Sequence, residues 1–236
     1  MHDPKSLSGW TLVFDLDGAL VDSAPDLVGA LNTLLDEEGL AIVPYSEVRL
    51  YVGRGARWLI ERGFERAGAL LDPGQLDNLL QRFIAIYLGR IAHETRPFDG
   101  CLAALDTLAE RGAVLAVCTN KLTQLSLALL DALDMTRRFA VVIGPDQAPA
   151  PKPDPRHLLT TIERAGGDLG RAIHLGDTAY DTLAAQAAGI PVIAVDFGYA
   201  PDGVADLGAD AVISHFDQLV STIERLASCP DPTGSL

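Results

Sequence analysis

The sequence predicts an α/β fold in which a doubly wound parallel sheet carries an inserted α-helical domain. An apolar run rich in β-forming residues occupies positions 10–14, and a long segment with helical periodicity follows at 22–96. From position 98 onward, helical segments alternate with short, continuously apolar segments. This alternation is typical of right-handed crossovers that build a parallel sheet with helices on both faces.

The predicted elements follow in a regular order. Within the insertion, apolar residues recur at helical spacing in segments 25–39, 46–51, 56–67 and 73–91, and Asp72 with Pro73 forms a capped start for the last of them. Beyond the insertion, helices are predicted at 99–111, 122–133, 155–165, 178–188 and 216–226, and strands at 113–118, 139–143, 172–175, 192–196 and 211–214. The chain therefore divides into an α/β core of residues 1–21 and 97–229, a helical domain of residues 22–96, and a disordered tail rich in Pro, Gly and Ser at 230–236.

The composition excludes several classes of partner. The net charge is −14, whereas nucleic acids and anionic membranes require a cationic surface. A small anionic substrate stays compatible, because a metal ion and a few cationic side chains reverse the field within one cleft. The three cysteines have no C-x-x-C spacing, which favours a reducing cytosol over a disulfide framework or a zinc site. No segment approaches the ~20 apolar residues that span a bilayer, and residues 1–9 lack the apolar core of a signal peptide, so we expect a cytoplasmic protein.

Polar side chains follow four of the predicted strands, and ligands of doubly wound sheets bind beyond these carboxyl ends. The first strand ends in D-L-D-G, so an extended backbone would aim two carboxylates into one small volume. A bound cation or a retained proton would relieve their repulsion. The other strand ends add hydroxyl, amide, lysine and carboxylate groups that suit phosphate or metal. In chain order these residues are Asp15, Asp17, Thr119, Asn120, Lys121, Lys152, Asp177 and Asp181.

These strand ends resemble the four motifs of the haloacid dehalogenase superfamily of hydrolases. The resemblance is carried by D-L-D-G-A-L-V-D from Asp15, the pair Thr119 and Asn120, Lys152 followed by Pro153, and G-D-T-A-Y-D ending at Asp181. It covers nearly the whole chain, with residues 22–96 corresponding to the helical cap of that superfamily. One D-x-D-G motif is weak evidence, but four motifs in order on successive strand ends form a specific signature.

The resemblance implies a phosphoryl-transfer chemistry that uses Mg²⁺. Asp15 resembles the nucleophile that attacks phosphorus and becomes an aspartyl-phosphate. Asp17 resembles the acid that protonates the leaving oxygen and then the base that activates water. The carboxylates of Asp15 and Asp177 and the backbone carbonyl of Asp17 resemble the ligands of Mg²⁺. Asp181, four residues after Asp177, resembles a carboxylate that orients the site from behind the ligands, and its alternative role is to stabilise the start of a helix.

Hydrogen-bonding and cationic groups complete the implied site. Thr119 and the backbone of Asn120 resemble donors to phosphate oxygens. Lys152 resembles the lysine that neutralises the phosphoryl oxygens together with the nucleophile. Lys121 is a rival for that role, although we interpret it as a lysine that forms a salt bridge on the surface.

Two positions depart from the superfamily pattern. Ala19 stands where a threonine is usual, and we expect its missing hydroxyl to affect the rigidity of the loop more than the chemistry. Pro145 stands where a glycine is common, and we expect it to stiffen the loop that leads to Lys152.

Other members of the superfamily define the alternatives. Asp17 argues against a dehalogenase, which needs no acid for its leaving group, and the absence of lysine from residues 22–96 argues against phosphonate-cleaving relatives, which use a cap lysine. A sugar-phosphate mutase uses the same pair of aspartates and stays open, because it differs mainly in how the cap excludes water. A non-catalytic phosphate-binding protein is the alternative of a different class, but none of the catalytic motifs is lost.

Segments in and beside the cap are similar to bacterial phosphoglycolate phosphatases, namely residues 21–27, 52–55 and 197–199. The similarity implies a small phosphate ester that carries a carboxylate, above all 2-phosphoglycolate. Arg54 lies between two glycines and is the candidate for binding that carboxylate, with a solvated cap arginine as the alternative. Similar segments occur in pyrophosphatases and in phosphatases of broad specificity, and these activities stay open as alternatives.

We also expect the cap to open and close through linkers near Asp22 and Arg96. The sequence leaves the oligomeric state undefined.

Overall fold

A computed structural model describes residues 6–200 and 203–228 of the chain. In chain order the strands are β1 (Thr11–Phe14), β2 (Val21–Asp22), β3 (Arg96–Pro97), β4 (Val114–Cys118), β5 (Val141–Ile143), β6 (Ala172–Gly176), β7 (Val192–Val195) and β8 (Ala211–Ile213). The helices are α1 (Ala24–Glu37), α2 (Tyr45–Val48), α3 (Ala56–Arg66), α4 (Pro73–Leu88), α5 (Cys101–Glu110), α6 (Thr123–Ala132), α7 (Pro155–Arg164), α8 (Ala179–Ala188) and α9 (Leu219–Ser228).

The described residues form one six-stranded sheet in the order β5-β4-β1-β6-β7-β8, and all of its pairs are parallel. This confirms the predicted parallel α/β sheet. Every residue of β1 and β6 is buried, as expected for strands that carry helices on both faces. Because β1 lies between β4 and β6, the loops that follow these three strands meet at one edge of the sheet.

The segment 22–96, called the cap below, contains helices α1 to α4. These helices pack around an apolar cluster of their own, to which Leu125 and Tyr199 contribute from the rest of the chain. The capped start predicted for α4 is present, since the Asp72 N–H donates to Oε1 of Gln75 in a capping box. The division of the chain into core and cap domains stays a prediction.

A short antiparallel pair joins the two ends of the cap, and the sequence did not predict it. Strand β2 pairs with β3 through Val21 with Pro97 and Asp22 with Arg96. The linkers at which we expect the cap to move are therefore bonded to each other in this structure.

Several element boundaries differ from the predicted ones by a few residues. The helix predicted at 46–51 is divided into α2 and a 3₁₀ turn at Arg49–Tyr51, and another 3₁₀ turn at Phe216–Gln218 precedes α9. No helix in the described part of the chain is long and apolar enough to cross a membrane. Cys229 and the tail predicted at 230–236 lie outside the described residues.

Candidate active site

Asp15 is the first residue after the central strand β1. Its N–H donates a 2.8 Å hydrogen bond to the carbonyl oxygen of Leu175 in β6, so the sheet fixes its backbone. The chain then turns at Gly18, whose φ is +85° and where a Cβ atom would overlap the carboxylate of Asp177. Backbone hydrogen bonds hold this turn, among them 2.9 Å from Gly18 N to Val21 O, and Ala19 is fully buried within it. The turn is thus fixed by backbone bonds despite the absence of a threonine hydroxyl at position 19.

Three buried carboxylates converge beyond β1 and β6. One carboxylate oxygen from each of Asp15, Asp177 and Asp181 lies within 4.8 Å of the other two. Among the described residues, Oδ1 of Asp15 and Oδ1 of Asp177 find no hydrogen-bond partner. Buried polar atoms are rarely left without a partner, and clustered carboxylate oxygens are the ligands that hard divalent cations prefer. The cluster therefore fits a divalent metal ion.

Asp17 was predicted to contribute to the same site, and the structure places its side chain differently. Its carboxylate lies outside the cluster of three. Asp17 is nonetheless a neighbour of Asp15, because its charge adds to the rise in the pKa of that carboxyl. Metal ligation by the Asp17 carbonyl stays a prediction.

Lys152 lies beside the nucleophile candidate and behind the cluster. Its Nζ is 3.0 Å from Oδ1 of Asp15 and donates a 2.6 Å hydrogen bond to Oδ1 of Asp181. The approach to Asp15 lacks the direction of a hydrogen bond, so it is an ion pair that leaves this oxygen available to a ligand. Although burial works in the opposite sense, the carboxylates of Asp15 and Asp181 raise the pKa of Lys152, which is therefore a cation.

Asp181 holds this arrangement from the first turn of α8. Its Oδ2 accepts hydrogen bonds from the N–H and the hydroxyl of Thr178, which cap the helix, while Oδ1 contacts Nε2 of His174 at 3.0 Å. Against the effect of burial, Lys152 and His174 hold the pKa of Asp181 well below its usual range. Asp181 thus combines the two roles considered for it, since it caps a helix and also orients Lys152.

The other two carboxylates of the cluster are shifted in the opposite direction. Burial raises the pKa of Asp15 to about 6, and the neighbouring carboxylates Asp181 and Asp17 add to the shift while Lys152 opposes it. Burial, together with Asp181 and Asp15, raises the pKa of Asp177 well above its ordinary value. A cation between Asp15 and Asp177 would stabilise their charged forms and offset the free-energy cost of burying them as carboxylates. The raised pKa values therefore also fit a metal site.

The interpretation of Lys121 as a surface residue is wrong. Its side chain is 4% exposed, and Nζ donates 3.0 Å hydrogen bonds to both carboxylate oxygens of Asp17. The ring of Tyr87, in cap helix α4, covers the ammonium with its centroid 4.6 Å from Nζ. Ser23 adds a hydroxyl that donates to Oδ1 of Asp17 over 2.5 Å. Each aspartate of the first motif therefore has its own lysine.

Asn120 ties three loops together. Its Oδ1 accepts the N–H of Lys152 over 3.0 Å, and its Nδ2 donates to the carbonyl oxygens of Lys152 and of Gly53 in the cap. Thr119 is buried beside it and accepts the N–H of Lys121 through Oγ1. Phosphate binding by Thr119 and Asn120 stays a prediction, and the structure adds a positioning role for the Asn120 side chain.

Arg54 lies in the cap, in the loop that leads into α3. Its side chain is exposed, and its guanidinium stacks on the ring of Trp58 at 4.8 Å and on the ring of Tyr180, from core helix α8, at 5.0 Å. It borders an open groove of about 620 Å³, and the buried Lys152 is also among the residues that line this groove. Recognition of a substrate carboxylate by Arg54 stays a prediction.

Two residues of the site were given no individual role by the motif reasoning, although Tyr199 belongs to the segment 197–199. Tyr199 donates its N–H to Oδ2 of Asp177 over 2.7 Å and its hydroxyl to Asp22 over 2.7 Å. His174 lies inside an apolar strand and contacts Asp181. A histidine within an apolar run is a readable signal, whereas nothing local to Tyr199 indicates its partners.

The chain is similar to known hydrolases over nearly its whole length. The family described as haloacid dehalogenase-like hydrolase matches residues 12–195. A phosphoglycolate phosphatase from Caulobacter vibrioides is 53% identical over 237 residues, which cover 100% of this chain and 99% of that protein. An N-acetylmuramic acid 6-phosphate phosphatase from Pseudomonas aeruginosa is 32% identical, with 92% and 96% covered. The crystal structure of a predicted phosphoglycolate phosphatase from Haemophilus somnus aligns with a TM-score of 0.84 at 25% identity, over 92% of this chain and 98% of that one.

Proposed function

Because the chain belongs to the haloacid dehalogenase-like hydrolase family, we propose that it is a Mg²⁺-dependent phosphatase whose main substrate is 2-phosphoglycolate. The observation that carries the proposal is the convergence of Asp15, Asp177 and Lys152, in which two buried carboxylates with unpartnered oxygens lie beside an ammonium group. Such a site offers a nucleophile, ligands for a cation and a charge that attracts phosphoryl oxygens. The activity named for the Caulobacter relative, which aligns over the full length, supports the choice of substrate.

In the first half-reaction, a carboxylate oxygen of Asp15 forms a bond to phosphorus while the bond from phosphorus to the ester oxygen breaks. Lys152 holds the nucleophile in place and neutralises phosphoryl oxygens, which Thr119 and the Asn120 backbone also bind. Asp17 gives a proton to the departing oxygen, so that glycolate leaves as the alcohol.

In the second half-reaction, Asp17 takes a proton from water and the water oxygen forms a bond to phosphorus. The bond between phosphorus and Asp15 breaks, which releases phosphate and restores the carboxylate. Bound Mg²⁺ would supply positive charge that offsets the repulsion between carboxylate and phosphate, and Asp15, Asp177 and the Asp17 carbonyl would hold it.

Two features support a reaction that is shielded from bulk water and takes place in the cytoplasm. The cap covers Asp17 and Lys121, which excludes bulk water from the chemistry when the cap is closed. Cys101 and Cys118 are buried as free thiols, which supports a place in the reducing cytoplasm.

A phosphatase acting on a larger sugar phosphate is the second candidate. The open groove beside Lys152 and Arg54 favours it, because a sugar would fit there, and one relative is named for such a substrate. The two candidates differ only in the leaving group, so one assay separates them.

The test is phosphate release from 2-phosphoglycolate, N-acetylmuramic acid 6-phosphate, pyrophosphate and phosphoserine, with Mg²⁺ and with a chelator. Asp15→Asn is the inactive variant, and Asp36→Asn, at an exposed aspartate of α1, is the matched control. We expect release that requires Mg²⁺, favours 2-phosphoglycolate, disappears in Asp15→Asn and persists in Asp36→Asn. Release from none of these esters would contradict the proposal.

A further inference from the structure

We propose that Lys121 binds the carboxylate of the substrate's leaving group in a small chamber between cap and core. The inference rests on the proposed function, because it takes a phosphate ester with an anionic leaving group as the substrate. It assigns to a buried lysine the role that the sequence suggested for Arg54.

The chamber lies directly against Asp17. Its volume is about 30 Å³, which is room for about two water molecules. The cap supplies an apolar wall from Leu27, Val52, Leu59 and Phe83. An occupant of this chamber is therefore small, as the two-carbon fragment of glycolate is.

The position of the chamber matches the side from which the leaving group departs. Asp17, the proton donor to the departing oxygen, lines the chamber, whereas Asp15 and Lys152 are absent from its walls among the described residues. An ester whose phosphorus lies at Asp15 and whose bridging oxygen faces Asp17 extends its leaving group into this space.

Because Asp17 places a negative charge in the chamber, an anionic occupant needs a cation to bind it there. Asp17 and Lys121 are the only ionisable side chains among its described lining residues. A carboxylate that entered would meet the negative charge of Asp17 and mostly apolar walls, with Thr119 and Asn120 as the neutral polar residues, which is unfavourable unless a cation binds it. Lys121 is the cation in place.

Lys121 also has a donor to offer. An ammonium group carries three N–H donors, and the hydrogen bonds of Nζ within the described chain go to the two oxygens of Asp17. The centroid of the Tyr87 ring lies 4.6 Å from Nζ, and an aromatic ring is a weaker partner for the third N–H than a carboxylate. Because Lys121 is 6% exposed, a bond from it to a substrate carboxylate is shielded from water.

The other nearby cations are committed elsewhere. Arg54 stacks on Trp58 and Tyr180 along the outer groove, outside the chamber. Lys152 pairs with Asp15 and Asp181 on the nucleophile side.

The kinetic test compares 2-phosphoglycolate with ethyl phosphate, which has the same length and lacks the carboxylate. Lys121→Met is expected to lower kcat/KM for 2-phosphoglycolate about 100-fold more than for ethyl phosphate. Arg54→Met, the matched control, is expected to affect both esters equally. Equal losses on both esters in Lys121→Met would mean that Lys121 serves only to position Asp17 and would overturn the inference, as would a selective loss in Arg54→Met.

A second measurement keeps Lys121 in place, in case Lys121→Met fails to fold around an unpaired Asp17. The sequence has three lysines, Lys5, Lys121 and Lys152, so a spectrum of ¹⁵Nζ-labelled lysine is simple. In the Asp15→Asn protein, the Lys121 signal should shift with 2-phosphoglycolate and stay in place with ethyl phosphate, whereas identical shifts with both would overturn the inference. A wild-type protein that hydrolyses neither ester would overturn the proposed function and the inference with it. Hydrolysis of 2-phosphoglycolate without a selective effect at Lys121 would overturn the inference alone.

Discussion

Tyr199 donates its main-chain N–H to Oδ2 of Asp177 over 2.7 Å. Its hydroxyl donates to Asp22 over 2.7 Å and accepts the N–H of Ala24 over 3.0 Å, at the point where the chain enters the cap. One buried residue thus connects a candidate metal ligand with the joint of the cap. We therefore expect changes at the metal site to affect the joint of the cap through Tyr199.

Tyr199→Phe removes the hydroxyl end of this connection and leaves the amide end. We expect the free energy of unfolding to fall by about 1–3 kcal/mol, because a buried N–H of Ala24 loses its acceptor and Asp22 loses a donor. Urea unfolding measures the change, and Tyr45→Phe, at an exposed tyrosine, should shift stability by less than about 0.5 kcal/mol. Equal stability of the two variants would refute the connection.

Movement of the cap should also be visible to a protease. We expect cleavage near Asp22 and Arg96 to slow when Mg²⁺ and a phosphate analogue are added, because closure protects the linkers. Tyr199→Phe should be cleaved faster than wild type under both conditions. Cleavage patterns that do not change when Mg²⁺ and the phosphate analogue are added would contradict a mobile cap.

Gly18→Ala should abolish most of the activity and destabilise the fold. A Cβ there would overlap Asp177 and lie 2.7 Å from the ring of Tyr199, on a backbone with φ of +85°. Gly39→Ala separates the two effects, because Gly39 has φ of +70° and a Cβ added to it would meet no atom within 4 Å. We expect about 1–2 kcal/mol of destabilisation and normal kcat/KM for Gly39→Ala, and a loss of at least ~100-fold in kcat/KM for Gly18→Ala. Similar activities in the two variants would contradict the close approach of the two loops.

Asp15 should make the metal-free protein less stable as the pH rises. Its pKa is about 6 in the folded protein against the ordinary 3.8, so its contribution to stability is full below about pH 4 and is lost as the pH rises through about 6. Asp15→Asn removes this loss, and we expect it to raise the free energy of unfolding by about 1–3 kcal/mol near pH ~8, with little effect near pH ~4.

The measurement is urea unfolding with a chelator at several pH values, and Asp181→Asn provides the opposite case. The pKa of Asp181 is lowered in the folded protein, so its contribution is present at neutral pH and is lost as the pH falls through its folded value. Asp181→Asn should therefore destabilise the protein at neutral pH. Destabilisation of the same sign by Asp15→Asn would contradict the shifted pKa of Asp15.

Arg54 should act on the closure of the cap through its stacking on Tyr180. The Tyr180 contact joins cap to core and is worth about 0.5–1 kcal/mol, so we expect Arg54→Ala to raise KM about 2- to 5-fold for every ester while kcat stays near its normal value. Arg57→Ala, which removes an exposed salt bridge to Asp77, should leave KM unchanged. A fall in kcat for Arg54→Ala with no change in KM would rule out a role in closure.

The parallel sheet could be predicted because its strands are short, continuous apolar runs that alternate with helical periodicity. Once that order is known, the carboxyl ends of β1, β4 and β6 must lie near one another, which brings Asp15 and Asp177 together. Strands β2 and β3 were missed because each has only two residues, too few for any periodicity.

The burial of Lys121 could not be predicted from local sequence. It depends on Tyr87, which reaches it from cap helix α4 and lies 34 positions earlier in the chain. The different partners of Asp15 and Asp17 likewise depend on the folded chain, since Lys152 pairs with Asp15 and Lys121 with Asp17. Such contacts depend on packing between segments that are far apart in the sequence, and a local motif does not reveal them.

The most direct test of the account is to trap the covalent intermediate. Wild-type protein is mixed with 2-phosphoglycolate and Mg²⁺, quenched rapidly, reduced with borohydride and digested, and the peptides are analysed by mass spectrometry. Borohydride converts the acyl-phosphate to an alcohol and releases phosphate, so we expect homoserine in place of Asp15 in the wild type and no homoserine in Asp15→Asn. Turnover without modification of Asp15, or modification of another carboxylate such as Asp177, would contradict it.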